Sequence, residues 1–143
     1  MLVSQILKTK GDLVFTASPQ ETVGAAAALL HTRKVGAMVV IDEQEAVVGI
    51  LSERDVVRVI AKEGAGALTK PIASCMTVNV VFAQPDETVD ALLERMTDRR
   101  IRHLPVVRGE RLAGIISIGD LVKYKISETQ AEADGLKAYI SAG

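Results

Sequence analysis

Residues 49–56 read "GILSERDV", and residues 114–121 read "GIISIGDL". Gly49, Ile50, Ser52 and Asp55 return as Gly114, Ile115, Ser117 and Asp120, each 65 positions later. Upstream, Pro19, Glu21, Thr22, Val23, Ala25 and Arg33 return as Pro85, Glu87, Thr88, Val89, Ala91 and Arg99, each 66 later. The change of one residue falls between "DEQEAV" and "RGERLA", where a hairpin turn can lose a residue without disturbing either strand. A register held over this distance marks an internal duplication in which each copy is one structural unit.

Each copy reads as strand, helix, strand, strand, helix. In the second, "NVVFAQ" is expected to be a short strand stopped by Pro85, and Asp86 is expected to open a helix over "ETVDALLERMTD". Val89, Leu92, Leu93 and Met96 recur at helical spacing and form one apolar stripe. "HLPVV" and "RLAGII" flank the turn "RGE" as a hairpin, and "SIGDLVKYKI" enters a second helix at Ser117. The first copy repeats this with "LVFTA", "ETVGAAAALLHTRK", "AMVVI", "AVVGIL" and "SERDVVRVIAK". The glycines and proline of "EGAGALTKP" mark a linker. The expected division is residues 1–66 for the first copy with a helical N-terminal extension, 67–127 for the second, and 128–143 for a helical tail. The fold class is mixed α and β: two βαββα units about a pseudo-twofold axis, forming one module.

Composition narrows the function. The chain has 143 residues, 48% of them hydrophobic, enough for a buried core. A formal charge of -1 provides no whole-molecule field to gather nucleic acid or an anionic membrane. Apolar runs such as "GAMVVI" fall far short of the roughly 18 residues a membrane span needs. The start "MLVSQILKTKG" lacks a signal-peptide core and cleavage pattern, so the expected compartment is the cytoplasm. Cys75 has no cysteine companion for a disulfide or a thiolate metal site and reads as a small buried hydrophobe. No metal site is expected, and the lone His31 reads as a surface residue.

Ser52 and Ser117 stand where a strand gives way to a helix, each with an aspartate three residues on. That pattern fits a capping box, in which serine and acid satisfy the first free N–H groups of a helix. It also fits a nucleotide site, because a helix N-terminus attracts phosphate and a carboxylate can accept bonds from two ribose hydroxyls. The residues alone leave both readings open.

The doubled pattern resembles a pair of cystathionine beta-synthase (CBS) domains, the tandem called a Bateman module. The resemblance rests on "ASPQETVGAAAALLHTRKVGAMVVID" with "GILSERDV" and on "AQPDETVDALLERMTDRRIRHLPVV" with "GIISIGDL", over about residues 3–127. It implies a regulatory binding module without catalytic chemistry, whose clefts hold adenosine ligands: AMP first, then NAD(H), ATP or S-adenosylmethionine. It makes Asp55 and Asp120 the ribose-binding acids, with Ser52 and Ser117 near ribose or phosphate. Thr16, Ala37 and Met38 would frame one adenine, and Phe82, His103, Leu104 and Pro105 the other. Arg54, Ile118 and Gly119 fill the variable places of the two motifs, with charge only in the first.

"IRHLPVV" sets Arg102 and His103 where the first copy has Gly36 and Ala37. On that ground the Asp120 cleft is expected to hold phosphate better, and a homodimer is expected to cover apolar faces of "ETVDALLERM" and "DVVRVIAK". The regulated protein is unknown. Two other functions compete. Nucleic-acid binding through "RRIRH" has a basic patch but, with 3% aromatic residues, few stacking platforms. Catalysis is weighed because such domains occur inserted in IMP dehydrogenase, but two repeats leave no chain for a barrel of about 250 residues.

Overall fold

The computed structural model describes residues 1–142. Helix α1 (Val3–Lys10) leads into β1 (Thr16–Ala17), α2 (Val23–Arg33), β2 (Ala37–Ile41), β3 (Val47–Ser52) and α3 (Glu53–Glu63). Two short 3-10 turns, Ala65–Thr69 and Ile72–Ser74, cross to α4 (Val89–Arg99), β4 (His103–Arg108), β5 (Arg111–Ser117) and α5 (Ile118–Ala142). In the first repeat β1 runs parallel to β2, and β2 pairs antiparallel with β3. In the second, β4 and β5 form the same hairpin. The two βαββα units are related by the expected pseudo-twofold axis.

The missing residue lies in the hairpin turn. Ile41 pairs with Val47 in the first hairpin, whereas Val107 pairs with Leu112 in the second. The longer turn is held by Asp42, whose Oδ1 accepts from the N–H groups of Gln44 and Ala46, both at 2.9 Å. The shorter one turns at Gly109, whose φ of 61° suits a residue without a Cβ.

Two expectations shift. "NVVFAQ" forms a single parallel bridge at Ala83 rather than a strand: its N–H donates to Pro105 at 2.9 Å, and Val107 donates back at 3.0 Å. Beyond it, the Gln84 N–H is taken by the Glu87 carboxylate at 2.9 Å, so the ladder ends. Helix α4 starts at Val89 rather than near Asp86, because Thr88 caps it by accepting from the Ala91 N–H. Thr22 does the same for α2 through Ala25.

The cores match position by position. Ala17, Val23, Met38, Val40, Leu51 and Val56 in one correspond to Ala83, Val89, Leu104, Val106, Ile116 and Leu121 in the other. Ala26 and Leu30 of α2 become Leu92 and Met96 of α4, so the alanine-rich helix of the first repeat is replaced by a bulkier one.

Each core is closed by the segment that precedes the other repeat. Val3, Ile6 and Leu7 of α1 pack into the second core, and Ala67 and Ile72 of the linker pack into the first. Backbone bonds fasten both leaders. Val3 and Ser4 donate to Glu87 and Pro85, as Ile72 and Ala73 donate to Glu21 and Pro19. The glycines that open the repeated motif make room for these crossings. A Cβ on Gly114 would lie 2.6 Å from the Leu7 Cδ2, and one on Gly49 would lie 2.7 Å from the Met76 Sδ.

The C-terminal tail is a continuation of α5, which runs unbroken through Ala142, while Gly143 lies outside the described residues. No described helix is long and apolar enough to cross a membrane.

The exchange of leaders predicts the behaviour of Ile6, which is fully buried although it precedes the first repeat. Ile6→Ala is expected to lower unfolding free energy by about 2–5 kcal/mol, the range for deleting a large buried aliphatic side chain. Urea titration followed by circular dichroism checks this. A loss near zero would mean that α1 is only an appendage.

Candidate functional site

Ser52 is the N-cap of α3, in extended conformation, and accepts from the Asp55 N–H at 3.2 Å. The Asp55 carboxylate reaches back to the Ser52 N–H at 3.0 Å, which completes a capping box. Asp55 is 3% exposed. Its remaining acceptor capacity goes to the Ser52 hydroxyl at 3.1 Å, the Arg58 guanidinium at 3.1 Å and the Thr77 hydroxyl at 3.3 Å. Burial of a charge at this depth requires such partners. Thr77 arrives from the linker, beside its backbone bridge to Ile50.

At the second motif Ser117 precedes α5 and Asp120 repeats the box, with bonds of 2.9 Å from the Ser117 N–H and 3.1 Å to its hydroxyl. The partner from the other leader is a cation here: Lys10 donates to the Asp120 Oδ2 at 2.6 Å and to the Ile115 carbonyl at 2.8 Å. Burial works to raise the Asp120 pKa, but the bonds from Lys10 and Ser117 outweigh it and hold the carboxyl below its ordinary value.

A cavity of about 210 Å³ opens beside the first motif. One wall is the start of α3, with Ser52, Glu53, Arg54, Asp55 and Arg58. The facing wall is the end of α4 and the start of β4, with Arg100, Arg102 and His103. The walls already touch: the Arg54 guanidinium donates to the Arg100 carbonyl at 3.4 Å. The His103 ring lies 2.9 Å from where a Gly36 Cβ would stand, so the imidazole lies where only glycine leaves space. Burial, followed by the charge of Lys10, pushes the His103 pKa down, which favours the neutral ring.

Arg102 and His103 line the cavity of Asp55, and His103 also pairs with Ser117 across the hairpin and lies within reach of the charges of Lys10 and Asp120. Of the residues singled out in the sequence, Ser52, Arg54, Asp55, Arg102 and His103 come together in this cavity. Ser117 and Asp120 meet Lys10 instead, Ile118 donates its N–H to the Arg102 carbonyl at 2.8 Å, and Gly119 is exposed.

The residues expected to frame adenine are dispersed. Met38 and Leu104 are 1% and 0% exposed and belong to the cores, and Ala37 and Pro105 are also buried. Thr16 lines a separate open groove with Lys8, Arg108 and Arg111, and Phe82 stays partly exposed with its carbonyl bonded to Arg95. His31 is exposed at the end of α2. Cys75 is half-buried against the first core, where burial, then Asp55 and Glu63, push its thiol pKa up.

Arg58, Thr77 and Lys10 did not stand out in the sequence. Arg58 could have been found one helical turn after Asp55. Thr77 and Lys10 act on the motif of a repeat they do not belong to, and letters carry no sign of that.

The Lys10–Asp120 pair yields a pH test. A carboxyl whose folded pKa is lowered contributes stability above its unfolded value of about 3.9 and loses it as pH falls through the folded one. The stability advantage of the wild type over Lys10→Met is therefore expected to be full at neutral pH and to fade below about pH 4. Denaturant titrations across that range measure it. An advantage constant with pH would show that Lys10 acts by packing alone.

Comparison with known proteins gives the following. The family model described as "CBS domain" matches residues 5–62 and 72–127. The CBS domain-containing protein CBSX3, mitochondrial, of Arabidopsis thaliana is 33% identical over 99% of this chain and 72% of its own length. Among solved structures, the CBS-domain containing protein ATU1752 from Agrobacterium tumefaciens is 47% identical with a TM-score of 0.85, over 87% of this chain and 92% of that one. The CBS domain pair of protein MJ0100, solved in complex with 5'-methylthioadenosine and S-adenosyl-L-methionine, is 28% identical with a TM-score of 0.80, over 90% and 98%.

Proposed function

The chain belongs to the CBS-domain family, and we propose that it is a regulatory module whose cavity beside Asp55 binds a phosphorylated adenosine, with AMP the best match. The observation that carries this reading is the charge of the cavity wall. Four arginines, Arg54, Arg58, Arg100 and Arg102, line it with two acids, Glu53 and Asp55, which leaves an excess of two positive charges. A phosphate monoester brings about -1.5 to -2 at neutral pH and would balance it. The N–H groups of Glu53 and Asp55 are already taken by Gly36 and Ser52, so α3 adds the attraction of its dipole on the same side.

Size and charge then rank the ligands. Ordinary small-molecule pockets run to about 300–1,000 Å³, so a cavity of about 210 Å³ suits a mononucleotide better than NAD(H). The extra phosphates of ATP overshoot the positive excess, and the sulfonium of S-adenosylmethionine adds to it. The related MJ0100 pair was solved with a thioether and a sulfonium of adenosine, neither of which carries a phosphate, so the arginines are what we take to redirect this chain toward phosphate. Ser52 and Asp55 are assigned to ribose. For Asp55 this requires the ligand hydroxyls to take over the bonds now made by Thr77 and Arg58.

Because the cavity walls come from different repeats, a bound ligand ties α3 to the start of β4. Occupancy would thereby fix the relative placement of the repeats, which a regulated partner could read. The working unit we propose is a homodimer without catalytic activity. Nucleic-acid binding is disfavoured because four residues of "RRIRH" line the cavity rather than forming a flat basic surface.

Calorimetry with AMP on the wild type, Arg102→Ala and Asp55→Asn tests the proposal. Losing a charged partner is expected to weaken AMP about ten- to a hundred-fold in each variant. Asp55→Asn should also lose stability without ligand, because it breaks a buried capping box. S-adenosylmethionine should bind the wild type more weakly than AMP. Undiminished AMP affinity in Arg102→Ala, or no AMP binding to the wild type, would end this assignment. Tight, salt-sensitive binding of short RNA in a mobility-shift titration would favour the alternative.

A further inference from the structure

Helix α5 outgrows the module. Its first turns pack on α4 and β5, with Leu121 fully buried and Lys125 paired to Asp90 at 3.0 Å. From residue 129 onward every described residue is exposed, yet the helix continues to Ala142. A helix with no partner along such a length is marginal in water, and Gly135 in its middle weakens it further.

The exposed apolar residues of α5 are not scattered. Val122, Ile126, Ala133, Leu136 and Ile140, with Thr129 completing the row, alternate in steps of four and three, the spacing of a coiled-coil seam, and Tyr139 flanks it. Val122, Ile126, Leu136 and Ile140 are 45%, 64%, 61% and 67% exposed. In this register Ile126, Ala133 and Ile140 take the a positions and Val122, Thr129 and Leu136 the d positions. β-branched residues at a with leucine at d favour two strands.

The flanking charges select the orientation. Glu132 falls at a g position and Lys137 at the e position that it meets on a parallel partner, so an in-register parallel pair gains this attraction twice. An antiparallel pair with full overlap would set Glu132 against Glu132 and Lys123 against Lys137. Those like charges oppose it.

We propose that the α5 tail is the contact surface for a second copy of this chain and forms a parallel, in-register two-stranded coiled coil. The surface differs from the repeat helices considered in the sequence: the apolar stripe of α4 is consumed by the core, and α3 leaves Val57 and Ile60 exposed. The proposal rests on the homodimer reading above but not on the nucleotide.

Sedimentation equilibrium of the full chain tests it. The wild type is expected to dimerise at tens of micromolar or below, and Leu136→Asp, at an exposed position that leaves the cores intact, to weaken the dimer at least ten-fold. Glu132→Lys and Lys137→Glu should each weaken it by about five-fold, while the double exchange restores it, since only a parallel pair exchanges one attraction for another. Leu136→Cys in a Cys75→Ala background should yield a disulfide-linked dimer on mild oxidation. A dimer unaffected by Leu136→Asp would overturn this surface and leave the homodimer reading standing. A monomeric wild type would overturn both, and a dimer without charge-swap rescue or crosslink would overturn the parallel arrangement.

Discussion

The fold depends on the crossing of each leader over a glycine. Neither repeat encloses its own hydrophobic core: the first needs Ile72 from the linker, and the second needs Ile6 from α1. A unit of about 60 residues buries too little surface to be comfortably stable alone, so borrowing a wall is a physical remedy and not a topological accident. Gly49 and Gly114 permit it, because the crossing side chains of Met76 and Leu7 occupy the space a Cβ would take. The same exchange makes the repeats one cooperative body. Loss of either leader opens a core that lies in the other half of the sequence.

The crossing also brings chemistry to the motifs. Thr77 reaches Asp55 and Lys10 reaches Asp120 because each rides the end of a leader. Both aspartates are capping-box acids, and capping is what holds each carboxylate still; a binding role proposed for Asp55 would use the same fixed geometry. The cavity carries a cost in the free protein. Arginines gathered on facing walls repel one another, and Arg100 holds a left-handed backbone with φ of 54°, which costs a residue with a Cβ about 1–2 kcal/mol. Lys34, its counterpart at the end of α2, carries the same conformation with φ of 56°, so at least the backbone part of that cost belongs to the fold and not to the site.

Much of the fold was legible because duplication lets a sequence be checked against itself. Positions such as Val23 and Val89, or Leu51 and Ile116, are core in both copies, and the caps Thr22 and Thr88 are likewise paired. The hairpin turn absorbed the one-residue change where "DEQEAV" and "RGERLA" differ. Legibility failed where residues of one copy serve the other. Comparing copies in parallel set Arg102 and His103 beside the aspartate of their own repeat, and gave no sign that they also line the cavity of Asp55. At the positions expected to frame adenine, Met38 and Leu104 sit on strands whose inward faces are needed for packing, a demand that the motif spacing does not reveal.

The two motifs have consequently diverged in charge while keeping one geometry. At Asp120 the acid already has its cation, since Lys10 is bound directly to the carboxylate and a neutral pair asks for nothing more. At Asp55 the leader supplies only a hydroxyl, and Arg58 must share its charge with a wall that holds three further guanidiniums. The first motif is therefore left with a positive excess that its own residues cannot neutralise, while the second is balanced from within. On the proposed reading, a duplicated module with one self-satisfied motif and one electrostatically incomplete motif would respond to an anion at one cleft and use the other as a fixed strut. Exchange of Lys10 and Thr77 between the leaders would be the minimal change that reverses those roles.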